Sequence, residues 1–396
     1  MMRVAAASRP ACGTKGNMRV AASLLAASIL ASAAGGAPPP PARPPFLKAL
    51  DLSYLPVLDC GGVCSPFRAT AGGPAADALA LAAAAGINVV RLRLWVDPSA
   101  HTPSPWPPGN ADSRYANMTG VLAMARRLQA AGLLLWLDLH YSDTWADPGH
   151  QTKPAAWAAL SLDALVQRVG DWTRAALAAL AAQGTPPAVV AVGNEITAGF
   201  LWAAPPQPCA QGGALFATGC VADTQWTALA RLVAAGCAAV RAAAPGASIQ
   251  IHTDLGNWLA KDGAGYITSW YQTLAAHGAA DWDEIGLSFY PNWGAGNTSN
   301  VRLLGAVAAA FPGKRITLAE TAYPYRDGNA GGQFPYTPAG QTDYLTALIG
   351  EVRAQPWGGG VAYWGGEFYN EQAGSGWAGL WGTDGVSLPA LTQPWR

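Results

Sequence analysis

The sequence predicts a single (β/α)₈ barrel, or TIM barrel, with long loops after several of its strands. Short apolar runs alternate eight times with helical runs between residues 46 and 364, which favours a parallel sheet whose strands are joined by helices. Polar or charged residues also stand at the end of almost every predicted strand, where a TIM barrel carries its functional groups. An open, doubly wound sheet is the alternative, and it accounts poorly for eight such units.

The predicted strands are short apolar runs, four of which end in a polar or aromatic residue. They are Phe46–Tyr54, Ile87–Leu94, Leu133–Leu139, Ala188–Val192, Ser248–His252, Glu284–Phe289, Arg315–Ala319 and Gly360–Trp364. The predicted helices are Ala75–Ala85, Arg114–Ala131, Leu162–Gln183, Trp226–Ala243, Ala264–His277, Val301–Phe311 and Thr337–Ala354. The long loops are expected after the second, third, fourth, seventh and eighth strands.

Composition narrows the classes of partner. The chain has 396 residues with 24 basic and 24 acidic side chains and no formal net charge, so we expect no nucleic-acid partner. Its 17 tryptophans are unusual, because flat rings with one polar edge suit a sugar-binding cleft as well as a core. We expect a monomer without a cofactor.

The amino terminus is predicted to direct secretion. Met18-Arg19 precedes the apolar run Val20–Ala34, which is shorter than the roughly 20 residues that a membrane helix needs. Residues 1–36 are therefore interpreted as a signal or leader, with Met18 as an alternative start and a transit-type extension or a leader without function as further alternatives. Residues 37–45 form a proline-rich spacer, and residues 46–396 form the barrel. The sequons at Asn117 and Asn297 are compatible with secretion. We expect no membrane partner.

The cysteines beyond the leader suggest two disulfides, which an oxidising compartment permits. Cys60 and Cys64 lie in a glycine-containing loop, and Cys209 and Cys220 bracket a glycine-rich loop after the fourth strand. Cys237 lies in a helical run and is expected to be a free, buried thiol. The alternative pairing joins Cys237 to one of the loop cysteines.

Two glutamates stand at the ends of predicted strands. Glu195 follows the run Ala188–Val192 through Gly193-Asn194, and Glu320 follows Arg315–Ala319. Glycosidic bond cleavage needs two carboxyl groups, one as acid and the other as nucleophile or base. An ordinary surface acid would explain one such glutamate, whereas the pair favours a glycosidase.

Three segments carry a family resemblance: Leu137–Lys153 (LDLHYSDTWADPGHQTK), Val192–Trp202 and Leu318–Tyr325. They resemble glycoside hydrolase family 53, the arabinogalactan endo-β-1,4-galactanases, from about Asp51 to about Leu391. The resemblance implies a TIM barrel that hydrolyses β-1,4-galactosidic bonds in (arabino)galactan with retention of configuration, by double displacement. The polysaccharide is then the expected partner.

The resemblance also implies roles for the residues at the strand ends. Glu195 would be the acid/base, Glu320 the nucleophile, and Asn194 the residue that holds the sugar 2-hydroxyl. Chemistry alone suggests that Arg91 or Arg93, on one face of the second strand, keeps the nucleophile ionised through a charge-assisted hydrogen bond. For either arginine, a purely structural ion pair is the alternative.

Further binding residues are expected at the other strand ends. Tyr290 is expected to donate a hydrogen bond to the nucleophile, and Asp254 to bind a hydroxyl at a neighbouring subsite. The remaining candidates are the loop residues His140, Asp143 and Trp145 and the possible sugar platforms Trp202, Trp293 and Trp364. The alternatives are a satisfied structural histidine for His140, a packed core edge for Tyr290, and packing alone for Trp202, Trp293 and Trp364.

No metal site is predicted. A trio of His140, Asp147 and His150 lacks the usual ligand spacing. Some bacterial family members bind calcium through loops after the seventh and eighth strands. Here the loop Arg326–Phe334 has only Asp327 as a carboxylate, too few for the oxygen ligands of calcium.

The sequence departs from the family pattern near two strand ends. Tyr363–Glu367 reads YWGGE where members usually have YWEP, and Ser288–Trp293 reads SFYPNW in place of SYYPYW. These changes concern binding subsites and leave the substrate open. A related endo-glycosidase acting on mannan or glucan, and a non-catalytic barrel that binds wall polysaccharide, are the alternative functions.

Overall fold

Eight parallel strands pair in chain order, and the last pairs with the first, so the sheet closes into a barrel. The predicted TIM barrel is confirmed. The computed structural model describes residues 45–100, 113–202, 224–326, 332–369 and 376–396. The strands are β1 Leu47–Asp51, β2 Val89–Leu94, β3 Leu134–Leu139, β4 Val189–Val192, β5 Ser248–Thr253, β6 Glu284–Ser288, β7 Arg315–Thr321 and β8 Gly358–Tyr363. The predicted leader and the spacer up to residue 44 lie outside the described residues.

Helices connect the strands and cover the outside of the barrel. Those described are α1 Leu55–Leu58, α2 Ala78–Ala85, α3 Met118–Ala130, α4 Leu162–Ala182, α5 Thr224–Ala243, α6 Leu259–Ala276, α7 Leu304–Ala310, α8 Pro338–Arg353 and α9 Pro389–Thr392. Local sequence explains several of their starts. The side chains of Asp77, Asn117, Ser161 and Thr337 each accept a hydrogen bond from a backbone N–H in the first turn of the following helix.

Predicted and observed boundaries differ most in three places. The first strand ends at Asp51 because the chain turns into α1, with a proline in its first turn where the missing N–H costs nothing. The sixth helix begins as the 3₁₀ turn Thr298–Leu303, and only Leu304–Ala310 is α-helical. Helix α6 starts five residues early, at Leu259, with a non-helical break at Gly263.

The apolar residues form two layers. A small cluster fills the barrel: Leu47, Ala49, Val89, Trp136, Val189, Ala319 and Ala362. A much larger cluster lies between the strands and the surrounding helices. Trp136 is fully buried at the centre of the barrel. The guanidinium of Arg91 lies 6.0 Å from its ring centroid, so the polar residues of the site lie directly above this apolar cluster.

The predicted disulfide between Cys60 and Cys64 is present, and Cys237 is a buried free thiol on α5. The predicted bond between Cys209 and Cys220 lies outside the described residues. Within the described part of the chain, one helical stretch, Trp226–Ala243, is long and apolar enough to cross a membrane. It belongs to α5, which packs against α4 in the wall of the barrel.

Candidate active site

The backbone after β4 places Glu195 in an uncommon conformation. Gly193 has φ +90°, and a Cβ there would lie 2.5 Å from Ile196 Cγ2, so only glycine fits. Glu195 itself has φ +47°, in the left-handed region that non-glycine residues seldom occupy. Strain of this kind is typical of functional sites, where the surrounding structure maintains it.

A bulge between β6 and β7 orients the second glutamate. The register shifts between Leu287 and Ser288, so that Ser288 is level with Glu320. Phe289 N–H then donates to Glu320 O over 2.8 Å. Bulges redirect side chains, and this one lies immediately beside the residue expected to be the nucleophile.

Arg91, at the floor of the site, links the acidic residues. Its guanidinium lies 2.7 Å from Asp51, 2.8 Å from Asp138 and 3.0 Å from Glu320, and all four side chains are almost completely buried. Nη2 also donates to Asn194 Oδ1 over 2.6 Å. Although burial lowers the pKa of Arg91, the three carboxylates more than offset this effect, so the guanidinium stays charged.

Glu320 has an ion pair on one oxygen and a hydrogen bond on the other. Oε1 faces Arg91 at 3.0 Å, and the Tyr290 hydroxyl donates to Oε2 over 3.0 Å. Burial raises the pKa of Glu320 to about 7, with Asp51 and Asp138 acting in the same direction, whereas Arg91 and Tyr290 lower it. The expectation that Tyr290 contacts this carboxylate is confirmed.

Glu195 lies in a different electrostatic environment. It is 7% exposed, and burial, followed by the negative charges of Glu320 and Asp254, raises its pKa well above the usual range. Among the described residues it makes no ion pair with a basic side chain, and its short polar contact is with Ser288 Oγ, 2.5 Å from Oε1. Of the two glutamates, Glu195 therefore keeps its proton to the higher pH.

The side chain of Asn194 is held in one orientation. Nδ2 donates to Ala146 O over 2.6 Å, and Oδ1 accepts from Arg91. Gln151 Nε2 donates to Asn194 O over 2.7 Å and fixes the turn itself. The second hydrogen of Asn194 Nδ2 has no acceptor in the described part of the chain, and its contact with a substrate oxygen stays a prediction.

The two arginines of β2 have different surroundings. Arg91 contacts Glu320, whereas no ion pair links Arg93 to Glu320. The guanidinium of Arg93 is stacked between the rings of Tyr54, at 4.3 Å, and Trp145, at 4.1 Å. Trp145 in turn packs against Trp364, with ring centroids 6.2 Å apart. Arg93 therefore supports an aromatic wall, and a direct contact of Arg93 with substrate stays a prediction.

His140 and Asp143 hold the loop after β3. His140 Nδ1 accepts from Ala146 N–H over 3.1 Å, so Nε2 carries the hydrogen and donates to Asp138 over 2.9 Å. Burial lowers the pKa of His140, which is neutral. The two oxygens of Asp143 accept from the N–H groups of Asp97 and Ala155.

The remaining candidates differ in exposure. Trp202 is 5% exposed and donates to Ala198 O, as a packed residue would, whereas Trp293 is 66% exposed beside Tyr290. Asp254 accepts from Trp258 Nε1 through Oδ2, while its buried Oδ1 has no hydrogen-bond partner among the described residues. A contact of Asp254 with a sugar hydroxyl stays a prediction.

Sequence reasoning missed five side chains of this centre. They are Asp51, Asp138, His252, Ser288 and Glu367. Each is a polar residue in or beside an otherwise apolar strand end, which was the available signal. Glu367, from the unusual YWGGE segment, accepts from Tyr54 N–H over 2.8 Å, and burial, followed by the charge of Asp51, raises its pKa to about 8.

Within the described residues, no group of three or more His, Cys, Asp or Glu side chains is arranged to hold a metal ion. His140 hydrogen-bonds Asp138, while His150 pairs with Asp147, so the conceivable trio is divided between two separate contacts. The loop in which no calcium was expected includes residues 327–331, which lie outside the described part of the chain.

The model of "Glycosyl hydrolase family 53" matches residues 47–392. The chain belongs to glycosyl hydrolase family 53. The probable arabinogalactan endo-β-1,4-galactanase A of Aspergillus terreus is 34% identical over 295 residues, which are 70% of this chain and 74% of that protein. The arabinogalactan endo-β-1,4-galactanase of Thermothelomyces thermophilus is 33% identical, over 71% of this chain and 78% of that protein.

Solved structures agree with this membership. A fungal β-1,4-galactanase matches with a TM-score of 0.70 and 29% identity, over 87% of this chain and 97% of that one. The family 53 catalytic domain of Ignisphaera aggregans matches with a TM-score of 0.73 and 28% identity, over 89% and 96%. This family 53 chain is therefore a glycoside hydrolase with a TIM barrel, as the resemblance implied.

Proposed function

We propose that the protein is a secreted, retaining endo-β-1,4-galactanase that acts on galactan or arabinogalactan. The family and the names of its relatives support the substrate. The observation that carries the mechanism is the difference between the two glutamates. Glu320 is bound by Arg91 and by the Tyr290 hydroxyl, whereas Glu195 makes no ion pair with a basic side chain of the described residues.

This difference supports separate roles. Arg91 and Tyr290 stabilise a negative Glu320, which is the form that attacks the anomeric carbon. Burial beside that charge keeps Glu195 protonated, which is the form that donates to the leaving oxygen. The covalent glycosyl-enzyme is then attacked by water, whose proton returns to Glu195.

Other residues are assigned to binding. The free hydrogen of Asn194 Nδ2 is directed to the sugar 2-hydroxyl, and Asp254 Oδ1 to a hydroxyl at a neighbouring subsite. Trp145 and Trp364 form an aromatic wall, and Trp293 is a platform exposed to solvent. A related activity on mannan or glucan keeps the same chemistry, so substrate specificity is decided by assay.

One experiment tests this function. The purified protein is incubated with linear β-1,4-galactan, mannan and glucan, the products are sized, and proton NMR follows the newly formed reducing end. We expect internal cleavage of galactan with the β-anomer formed first. Hydrolysis of mannan or glucan in preference to galactan contradicts the substrate, and the α-anomer as first product contradicts retention. Binding of galactan without any cleavage would indicate a non-catalytic barrel.

A further inference from the structure

A chain of four hydrogen-bonding side chains ends at Glu195. Glu195 Oε1 lies 2.5 Å from Ser288 Oγ, and Ser288 Oγ lies 3.0 Å from His252 Nε2. His252 Nδ1 lies 2.8 Å from Asn194 Oδ1. All four side chains are at least nine-tenths buried and come from the ends of β4, β5 and β6.

The direction of this chain is set at Asn194. Its oxygen is identified by Arg91, which can only donate, and its nitrogen by Ala146 O, which can only accept. His252 Nδ1 therefore faces an acceptor at 2.8 Å and must carry a hydrogen. Burial, followed by the charge of Arg91, lowers the pKa of His252 well below its usual value, so the ring is neutral and Nε2 is bare.

The remaining hydrogens then have one arrangement. Bare His252 Nε2 accepts from the Ser288 hydroxyl, which has one hydrogen to give. Ser288 Oγ is left as an acceptor toward Glu195, and a carboxyl oxygen 2.5 Å away satisfies it only by carrying a proton. The reversed chain puts a bare Nδ1 against Asn194 Oδ1. Among the described residues, the donors left to that nitrogen would be Glu195 N–H at 3.4 Å and Arg91 at 3.5 Å.

We propose that Ser288 and His252 are positioning residues that hold Glu195 in its protonated form between turnovers, through a hydrogen-bond chain directed from Asn194. The inference rests on the proposed role of Glu195 as the acid. When Glu195 gives its proton to the leaving oxygen, the Ser288 hydrogen stays directed to His252 Nε2, so the new carboxylate gains no donor from Ser288 and the protonated form remains favoured. Return of a proton from the attacking water to Glu195 restores the hydrogen bond from its carboxyl group to Ser288 Oγ.

Other charged and titratable groups face this chain from neighbouring elements, and they act in every variant alike. They are Arg91 from β2, Asp138 from β3, His140 and Asp147 from the loop after it, Asp254 from the end of β5, Tyr290 from the end of β6 and Glu320 from β7. None of these groups fixes the direction of the Ser288 hydrogen. The test must therefore read that direction itself.

The first measurement reads the His252 tautomer in the resting enzyme, with no substrate present. Long-range ¹H–¹⁵N NMR distinguishes a protonated ring nitrogen from a bare one, and His252→Asn identifies the signals among the five histidines. We expect the proton of His252 on Nδ1, and that of His140 on Nε2 as an internal control. A proton on His252 Nε2 overturns the proposal, whatever the polysaccharide.

The second measurement is the alkaline limb of kcat/KM, which reports deprotonation of the acid in the free enzyme. In Ser288→Ala the protonated form of Glu195 loses its acceptor, so we expect the limb to move to lower pH by about one unit. If Ser288 instead donates to the carboxylate, the limb moves to higher pH. An upward shift or no shift overturns the proposal.

Two replacements of His252 complete the test. An asparagine amide takes the place of Nδ1 and leaves Ser288 without an acceptor, whereas a glutamine amide reaches the place of Nε2. We expect His252→Asn to move the alkaline limb downward and His252→Gln to restore it toward the wild-type position. Equal limbs in the two variants would mean that His252 only fills space.

Discussion

Removal of the Tyr290 hydroxyl should change the pH at which the enzyme becomes active. In Tyr290→Phe, Glu320 keeps Arg91 on Oε1 but loses the donor 3.0 Å from Oε2. That hydrogen bond favours the carboxylate over the neutral acid, so its loss raises the pKa of Glu320. The acid limb of kcat/KM must then move to higher pH, because the nucleophile is active only when ionised.

The size of the shift follows from the strength of such a bond. A hydrogen bond to a charged group contributes about 1.5–3 kcal/mol. With about 1.36 kcal/mol for each pKa unit, the limb should move up by about 1–2 pH units. Tyr290 and Glu320 are both less than 10% exposed, so little solvent is available to replace the bond.

The assay measures initial rates on galactan at low substrate concentration across the pH range. Tyr271→Phe is the matched control: it removes a buried hydroxyl that donates to Ile251 O and Gly286 O, away from Glu320. We expect its acid limb to stay in place even if the barrel is destabilised. An unmoved or lowered limb in Tyr290→Phe would refute the electrostatic reasoning about Glu320.

The other predictions concern Glu195, Arg91, Gly193 and the disulfide in the loop outside the described residues. In Glu195→Ala, azide should restore turnover of an activated aryl galactobioside and give the β-azide; product analysis checks this, and an α-azide from Glu195→Ala would mean that the two roles are swapped. Arg91→Met should leave buried carboxylates unpaired and lower the free energy of unfolding by about 3–5 kcal/mol in urea titration. Unchanged stability would contradict the stabilising role of Arg91. Gly193→Ala should lower kcat, because it displaces Glu195. It should also lower the free energy of unfolding by about 1 kcal/mol or more, because alanine is strained at positive φ. Wild-type values for both would contradict this. Non-reducing peptide mapping should show Cys209 joined to Cys220, and a crosslinked peptide that contains Cys237 would rule this out.

The sequence was sufficient for the barrel because its pattern is local. Strands and helices alternate with apolar periodicity, and the carboxyl ends of parallel strands meet on one face. Glu195 and Glu320 could therefore be paired although 125 residues separate them. Boundaries were less predictable where a 3₁₀ turn or a glycine break begins a helix, as at Thr298 and Gly263.

Contacts within the site depend on depth and register, which the sequence does not carry. Arg91 and Arg93 lie on the same face of β2 by alternation, so either arginine was a candidate for the nucleophile. Their depth separates them, since Arg91 is level with Asp51 on β1 and Arg93 lies two residues further along. The same limit hid the contact between His252 and Ser288, which depends on the register of β5 against β6.

Glu320 is the residue proposed to form the covalent intermediate. An activated 2-deoxy-2-fluoro-β-galactobioside should trap that intermediate. The fluorine slows both its formation and its hydrolysis, whereas the good leaving group speeds only its formation. Proteolysis and mass spectrometry then locate the sugar. We predict a single labelled peptide that carries the sugar on Glu320, whereas a label on Glu195, or inactivation without any covalent sugar, would contradict the account.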